Sequence, residues 1–170
     1  MRNIEKNFIA AYEENADALF RHCFFRVNDR ERAQDILQET FMKTWRHIHR
    51  GGSIDNLKAF LYKSLRNLII DEYRNRSRRP EDSLDILQEE EGFDPSFDDT
   101  EQWVDRLDGA GALEVLRKIP DAYSEMIFMR YVQGLSLSEI ANITGDTENS
   151  IAVRIHRGLG KLRTILHYEK

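Results

Sequence analysis

The sequence predicts an all-α protein, built as two small helical domains joined by an acidic flexible linker. Three observations carry this expectation. Apolar residues recur at spacings of three, four and seven over much of the chain, and no stretch alternates β-branched residues as a strand would. The three prolines stand at 80, 95 and 120, outside the periodic stretches. Charge is unevenly divided. Residues 1–80 hold 16 Lys/Arg against 11 Asp/Glu, residues 81–108 hold 1 against 12, and residues 109–170 hold 8 against 7. A net of −5 therefore conceals a basic segment, a strongly acidic middle and a near-neutral end, an asymmetry expected of modules on a linker.

The elements come in order along the chain. Residues 8–27 place Phe8, Tyr12, Leu19, Phe20, Cys23 and Phe24 at helical spacing. Residues 31–48 line up Ala33, Ile36, Leu37, Phe41, Trp45 and Ile48 before Gly51-Gly52-Ser53 breaks the pattern. Residues 56–76 repeat it with Leu57, Phe60, Leu61, Leu65, Leu68 and Ile69. One three-helix core accounts for these stripes and defines a first domain over 1–80. Residues 81–111, just past Pro80, contain Gly92, Pro95, Gly109 and Gly111. Their carboxylates repel and few apolar groups offset the cost of ordering, so the segment reads as a mobile tether with a short helix near Trp103 and Leu107. The second domain, 112–170, reads as four helices. The first spans 112–118. The second spans 121–133, with Met126, Ile127, Met129 and Val132 mostly inward. The third is opened by a Ser136–Glu139 capping box, and the fourth runs from about Glu148 to Leu166 after a Gly145-Asp146-Thr147 turn.

Composition narrows the function. With 41% hydrophobic and 32% charged residues, the chain is neither broadly disordered nor a membrane protein. No apolar run approaches the ~18 residues of a span, the amino terminus lacks a secretory pattern, and a reducing cytoplasm is the expected location. A single cysteine, Cys23, excludes an internal disulfide and a Cys-based zinc site. His22 with Cys23, and His47 with His49, lack ligand spacing, so no metal and no cofactor are expected. No nucleophile–base constellation is present, so no enzyme activity is expected.

The stretch 136–163 has the pattern of a helix-turn-helix. A short helix (Leu137, Ile140, Ala141 inward) meets a glycine turn and a longer helix. On that helix Ile151, Ile155, Leu159, Leu162 and Leu166 fall in one narrow arc. The opposite face carries Asn149, Ser150, Val153 and Arg157, flanked by Arg154 and Lys161, with His156 nearby. Arginine can grip guanine or phosphate, Asn and Ser can bond base edges, and a valine can touch a thymine methyl.

These motifs resemble a known family, the small extracytoplasmic-function (group IV) sigma factors of bacterial RNA polymerase, within the sigma-70 family. Ile119-Pro120-Asp121, Ile127 to Ala141 and Ser150 to Gly158 are similar to its region 4. Ala33-Gln34-Asp35-Ile36-Leu37-Gln38-Glu39-Thr40-Phe41-Met42-Lys43-Thr44-Trp45 resembles region 2.2, and Ala59 to Asp71 the helix after it. The two blocks, roughly 12–79 and 112–166, cover most of the chain in the expected order.

The resemblance implies a dissociable promoter-specificity subunit. Asp35, Gln38, Glu39 and Met42 would dock on core RNA polymerase. Lys63, Arg66, Asn67, Arg74 and Arg76 would hold the minus-ten DNA, aided by seven basic residues between 58 and 79 against Asp71 and Glu72. Asn149, Ser150, Val153, Arg154, Arg157 and Lys161 would read the minus-thirty-five duplex. The loop 48–57 corresponds to one that captures a flipped base. Here Gly51-Gly52-Ser53 supplies no aromatic, which leaves the base open, with His49, Ile54 and Tyr62 as candidate walls. The acidic segment would occupy a basic polymerase channel. Partners implied are core polymerase, promoter DNA and an anti-sigma factor. An autonomous helix-turn-helix regulator is the alternative, and a helical adaptor without DNA a third reading.

Overall fold

In the computed structural model, residues 2–76 and 110–168 are described. Residues 81–109 of the expected acidic linker and the helix near Trp103 and Leu107 lie outside them, as do Arg78 and Arg79, while Ala110 and Gly111, expected to close the linker, are already helical. The all-α expectation holds: the described residues form helices, with no strand among them. The chain divides into two compact units, Met1–Arg78 and Arg79–Lys170.

Unit 1 is three long helices that pack on one another: α1 (Arg2–Val27), α2 (Arg30–His49) and α3 (Leu57–Arg76). The α1–α2 corner is tight. Asn28 sits at φ 53°, a conformation asparagine tolerates better than most residues. Asp29 then caps α2 by accepting the Arg32 N–H at 3.2 Å. Asn56 does the same for α3, accepting from Ala59 N at 3.0 Å. The core holds Leu19, Phe25, Ala33, Ile36, Phe41, Leu61, Leu65 and Ile69.

The inward face of α1 differs from the apolar stripe read in the sequence. Ala11, Asn15, Leu19, His22 and Cys23 are buried, while Tyr12 and Phe24 are exposed. Tyr12 places its ring at the edge of the bundle, 4.5 Å from Phe41. Phe24 stacks on Phe20 along the outer surface. Polar residues can face inward because they find partners there: Asn15 donates to Ala11 O at 2.9 Å, and the His22 ring meets the Tyr62 ring edge-on at 5.7 Å. Thr40 and Thr44, both fully buried, return their hydroxyls to the carbonyls of Ile36 and Thr40. Burial pushes the Cys23 thiol up to about 12, with Glu72 adding to the effect and Arg26 and Arg32 opposing it.

Unit 2 contains α4 (Ala110–Leu116), α5 (Asp121–Ile127), α6 (Leu137–Thr144) and α7 (Glu148–Tyr168), with α4, α5 and α6 all packed on α7. The single helix expected over 121–133 is in fact two pieces. Phe128–Val132 forms a π-helical turn in which Gln133 N donates to Phe128 O at 3.0 Å. A π turn inserts one residue and rotates the side chains beyond it. Phe128 and Met129 stay buried, but Val132 turns out to solvent at 51% exposure, against the inward position expected of it. Arg130 then fastens the exit by donating to Leu135 O at 3.1 Å.

Candidate functional site

Each unit presents its own surface. On α2 of unit 1, Asp35, Gln38, Glu39 and Met42 lie at i, i+3, i+4 and i+7 and are all exposed, Met42 at 53%. The inward side of the same helix carries Ala33, Ile36, Thr40, Phe41 and Thr44, so the turn of the helix separates a packing face from a free one. Two carboxylates have local partners. Asp35 is 3.8 Å from Arg32, and Glu39 is 3.6 Å from Lys43. Both pairs are solvent-exposed and open to exchange for an external cation at small cost.

Along α3, Lys63, Arg66, Asn67 and Arg74 fall in one arc of roughly 100° at ~100° per residue. Lys63, Asn67 and Arg74 are exposed and Arg66 is half-buried. Arg76 closes the helix, but its side chain lies outside the described residues. Residues 72 and 73 fix the end of this helix. Arg32 grips Glu72 with both ends of its fork, Nε donating to Oε1 at 2.9 Å and Nη2 to Oε2. That bond, first of all, raises the Arg32 guanidinium further above its ordinary value. Tyr73 donates its hydroxyl to Arg26 O, beneath the Arg26 guanidinium. The arc therefore rests on an anchored helix.

The loop between α2 and α3 departs from one expectation. Tyr62 is not a pocket wall: it is 1% exposed and faces the core beside His22. A helical residue one turn past the loop points inward whenever its neighbours Leu61 and Leu65 do. His49 folds back on α2 instead, its ring 3.9 Å from the Trp45 ring and its Nδ1 3.0 Å from Trp45 O. A concavity of about 530 Å³ beside the loop is lined by Lys43, Arg46, His47, Arg50, Gly51 and Gly52. Arg50, Gly51 and Gly52 belong to the loop expected to capture a base, whereas Lys43, Arg46 and His47 were not among the expected site residues. The signal was available, since 43, 46, 47 and 50 are one face of a helix.

In unit 2 the helix-turn-helix is built by caps. Ser136 Oγ accepts from Glu139 N at 3.1 Å while Glu139 Oε1 accepts from Ser136 N at 3.4 Å, the reciprocal box expected from the sequence. Gly145 ends α6 at φ 80°, its N–H on Ala141 O. Thr147 Oγ1 accepts from Ser150 N at 3.1 Å and starts α7. Ile151, Ile155, Leu159 and Leu162 are buried as expected, and Gly158 lies where α7 meets Ile127 and Tyr123 of α5.

The face expected to read DNA departs from the sequence expectation at two residues. Val153 is buried, at 4% exposure, and cannot offer its methyls to thymine as placed. Three helices flank α7, so more than one narrow stripe is withdrawn from water. Arg154 does not sit on the free face either. Its Nη1 donates to Asp146 Oδ2 at 2.7 Å, with only 12% of its side chain exposed. Three residues past Ile151, it lies beside the buried stripe, over the turn. Asn149 is exposed, Ser150 and Arg157 half-buried, and Lys161 exposed with Nζ 5.6 Å above the Tyr123 ring. Ala152 and His156 stand in line with Asn149 at i+3 and i+7, both half-buried, and are more open to solvent than Val153.

Among the described residues no group of three or more His, Cys, Asp or Glu is placed to hold a metal, and no helix is long and apolar enough to cross a membrane.

A three-helix unit with an exposed polar helix face and a basic arc, together with a helix-turn-helix unit, is the architecture of a class of DNA-binding transcription proteins. Comparison with known proteins gives the family. Residues 11–79 match the Sigma-70 region 2 family and residues 112–162 the Sigma-70 region 4 family. The chain is 32% identical to the ECF RNA polymerase sigma factor SigL of Mycobacterium tuberculosis over 92% of its own length and 87% of that protein. It is 26% identical to the ECF RNA polymerase sigma factor BldN of Streptomyces coelicolor over 91% of its length, and spans 58% of that longer chain. Its fold is similar to that of the sigma factor RpoE from Bartonella quintana, crystallised with the anti-sigma factor NepR: TM-score 0.64, 20% identity, full coverage of both chains. The chain belongs to the extracytoplasmic-function sigma factors of the sigma-70 family. It is a promoter-directing sigma factor, and the autonomous-regulator alternative is not favoured. Sigma factors as a family are initiation factors, not catalysts.

Proposed function

We propose that the chain directs core RNA polymerase to promoters by bipartite recognition, with the roles divided among named residues. The exposed face of α2, Asp35, Gln38, Glu39 and Met42, docks on a basic surface of core polymerase. The two carboxylates supply charge complementarity, Gln38 sets register, and Met42 gives adaptable apolar contact. The arc of Lys63, Arg66, Asn67 and Arg74 on α3, continued by Arg76, holds the melted minus-ten strand. Phosphate neutralisation supplies affinity, and Asn67 bonds a base or its backbone. In unit 2, Asn149, Ser150 and Arg157, with Ala152 and His156 beside them, enter the major groove at the minus-thirty-five element.

Each contact set is small, so each unit binds DNA weakly by itself. Polymerase and the linking segment raise the effective concentration of one at the other's site. The near-neutral charge of residues 109–170 supports this reading, because an autonomous duplex binder needs a stronger counter-charge to DNA. An anti-sigma protein, covering these same faces, is the further partner. The acidic segment 81–108 is assigned to a basic channel of the polymerase.

The observation that carries the proposal is the free polar face of α2, with its packing residues all turned inward, in a chain that also carries a capped helix-turn-helix. Run-off transcription with purified core polymerase tests it. Asp35→Ala with Gln38→Ala is expected to weaken core binding at least tenfold, and Arg157→Ala to reduce initiation that depends on the minus-thirty-five element. Normal core affinity in the double variant removes the docking assignment.

A further inference from the structure

Arg32 belongs to neither exposed face of unit 1, yet it touches a residue tied to each. It is the third residue of α2, and its backbone N–H is taken by the Asp29 cap at 3.2 Å. One edge of its guanidinium, Nε and Nη2, lies on the two oxygens of Glu72. The remaining nitrogen, Nη1, stands 3.8 Å from Asp35 Oδ2, inside ion-pair range and beyond a hydrogen bond. The Glu72 side chain is 13% exposed, that of Arg32 39% and that of Asp35 65%. One cation therefore links a sheltered carboxylate on α3 to an open one on α2.

Such a pair has an ordinary explanation, a clamp between two helices of a bundle. The Glu72 edge alone satisfies it and leaves the third contact unexplained. Glu72 and Asp35 approach different sides of a rigid plane, so movement of the guanidinium toward one is movement away from the other. The two carboxylates compete for it. Position gives that competition a consequence. Asp35 stands on the exposed face of α2 with Gln38, Glu39 and Met42. Glu72 lies on the side of α3 away from the arc of Lys63, Asn67 and Arg74, and only two residues before Arg74. It sits in the last turns of the helix, where fraying is the default.

We propose that Arg32 is a positioning residue that couples the two faces: when a basic group of core polymerase takes Asp35, Arg32 settles wholly on Glu72 and steadies the end of α3 beneath Arg74 for the minus-ten strand. The coupling rests on the docking and DNA roles proposed above, and it adds to them a side chain that touches neither polymerase nor DNA. Asp35 is the partner that gives way, because it is the more exposed and holds Arg32 without a hydrogen bond, whereas Glu72 holds it by two. The effect runs in both directions. A strand that favours the steadied end of α3 raises the affinity for polymerase by the same factor. That factor is the size of an exposed ion pair, about threefold.

Amide hydrogen exchange at residues 73–75 of the full chain reads the opening of that helix end directly. Asp35→Asn removes the competing charge without any polymerase, and the exposure of Asp35 keeps the fold out of danger. Exchange at 73–75 should slow about threefold in this variant. Asp17→Asn, the same change of charge on α1 where Asp17 pairs with Arg21, should leave it as it was. Saturating core polymerase should slow exchange there by a similar factor in the unsubstituted chain. In Glu72→Gln, which keeps an acceptor and loses the charge, neither Asp35→Asn nor polymerase should slow it. A clamp without coupling behaves otherwise: Glu72→Gln speeds exchange and Asp35→Asn does nothing. Unchanged or faster exchange in Asp35→Asn overturns the proposal. So does equal slowing by polymerase with and without the Glu72 charge, which would mean simple cover of α3. Failure of the sigma-factor reading shows differently: the unsubstituted chain would not form a holoenzyme that initiates at a discrete site, whatever the exchange of the free chain.

Discussion

The two units solve the same task, holding a polar helix face in place, by different means. Unit 1 uses long-range ties. Arg32 reaches Glu72 across 40 residues, and Tyr73 reaches the Arg26 carbonyl across 47. Unit 2 uses short-range ones: the Ser136–Glu139 box, the Gly145 cap, the Thr147 cap and the Asp146–Arg154 pair each span no more than eight residues. The difference comes from helix length. Helices of 20 to 26 residues have enough lateral surface to be positioned by their neighbours. Unit 2 has one such helix, the 21-residue α7; its other helices, of 7 and 8 residues, pack against it and have their direction set at their ends.

The largest effect that separates the units is expected at Gly158. Its position lies against Ile127 Cδ1 and Tyr123 Cβ, so that a Cβ there would come within 2.7 and 3.0 Å of them. Gly158→Leu should force α7 off α5 and cost about 3 kcal/mol, the upper part of the range for overpacking. Hydrogen exchange should lose protection across 121–168 while 2–76 keeps it. Equal loss in both would mean that the units fold as one cooperative body, and the contrast between them would fail.

The same contrast explains what could be read in the sequence. Caps and turns are local, so the box at Ser136, the glycine stop and the α7 stripe were legible from residue type and spacing. The free face of α2 was legible as well, because a strict apolar stripe fixes its opposite side. What escaped were properties set by distant residues. The inward turn of Asn15 and His22 depends on partners no periodicity shows. The π turn at Phe128 shifts the phase of a helix that reads as regular, and so exposes Val132. Arg154 looked like a DNA reader because arginine on a recognition helix usually is one. Its carboxylate partner in the turn takes it out of that arc.

Arg154 gives the next measurement. With 12% of its side chain exposed and a 2.7 Å bond to Asp146, it should act as a brace between turn and helix. Arg154→Met should cost about 2 kcal/mol of unit 2 stability, within the range for a hydrogen bond to a charged group. Asp146→Asn should cost less, and the double variant less than the sum of the two. Preference among minus-thirty-five sequences should persist in Arg154→Met at temperatures where unit 2 is folded, whereas Arg157→Ala should relax it. If Arg154→Met relaxed base preference without loss of stability, the arginine would leave Asp146 on binding DNA and return to the role the sequence suggested.

The smallest effect belongs to unit 1 and depends on pH. The buried Cys23 thiol ionises near pH 12 in the folded chain and near 9.0 when exposed. Above pH 9 the unfolded chain releases a proton that the folded chain keeps, so stability contributed by the neutral thiol is complete below pH 9 and declines toward pH 12. At pH 10 the loss is about 1.4 kcal/mol, one pKa unit of differential ionisation. Lysines and tyrosines titrate in the same window, so the quantity to measure is the gap in unfolding free energy between the parent and Cys23→Ala. That gap should shrink steadily from pH 8 to pH 11. Alkylation of Cys23 should be limited by opening of unit 1 and should not be accelerated by Gly158→Leu in unit 2. A gap that stayed constant with pH would show that the thiol meets solvent or a compensating charge in the folded state. The polar lining of the bundle around His22, Arg26 and Arg32 would then be wetter than its burial implies.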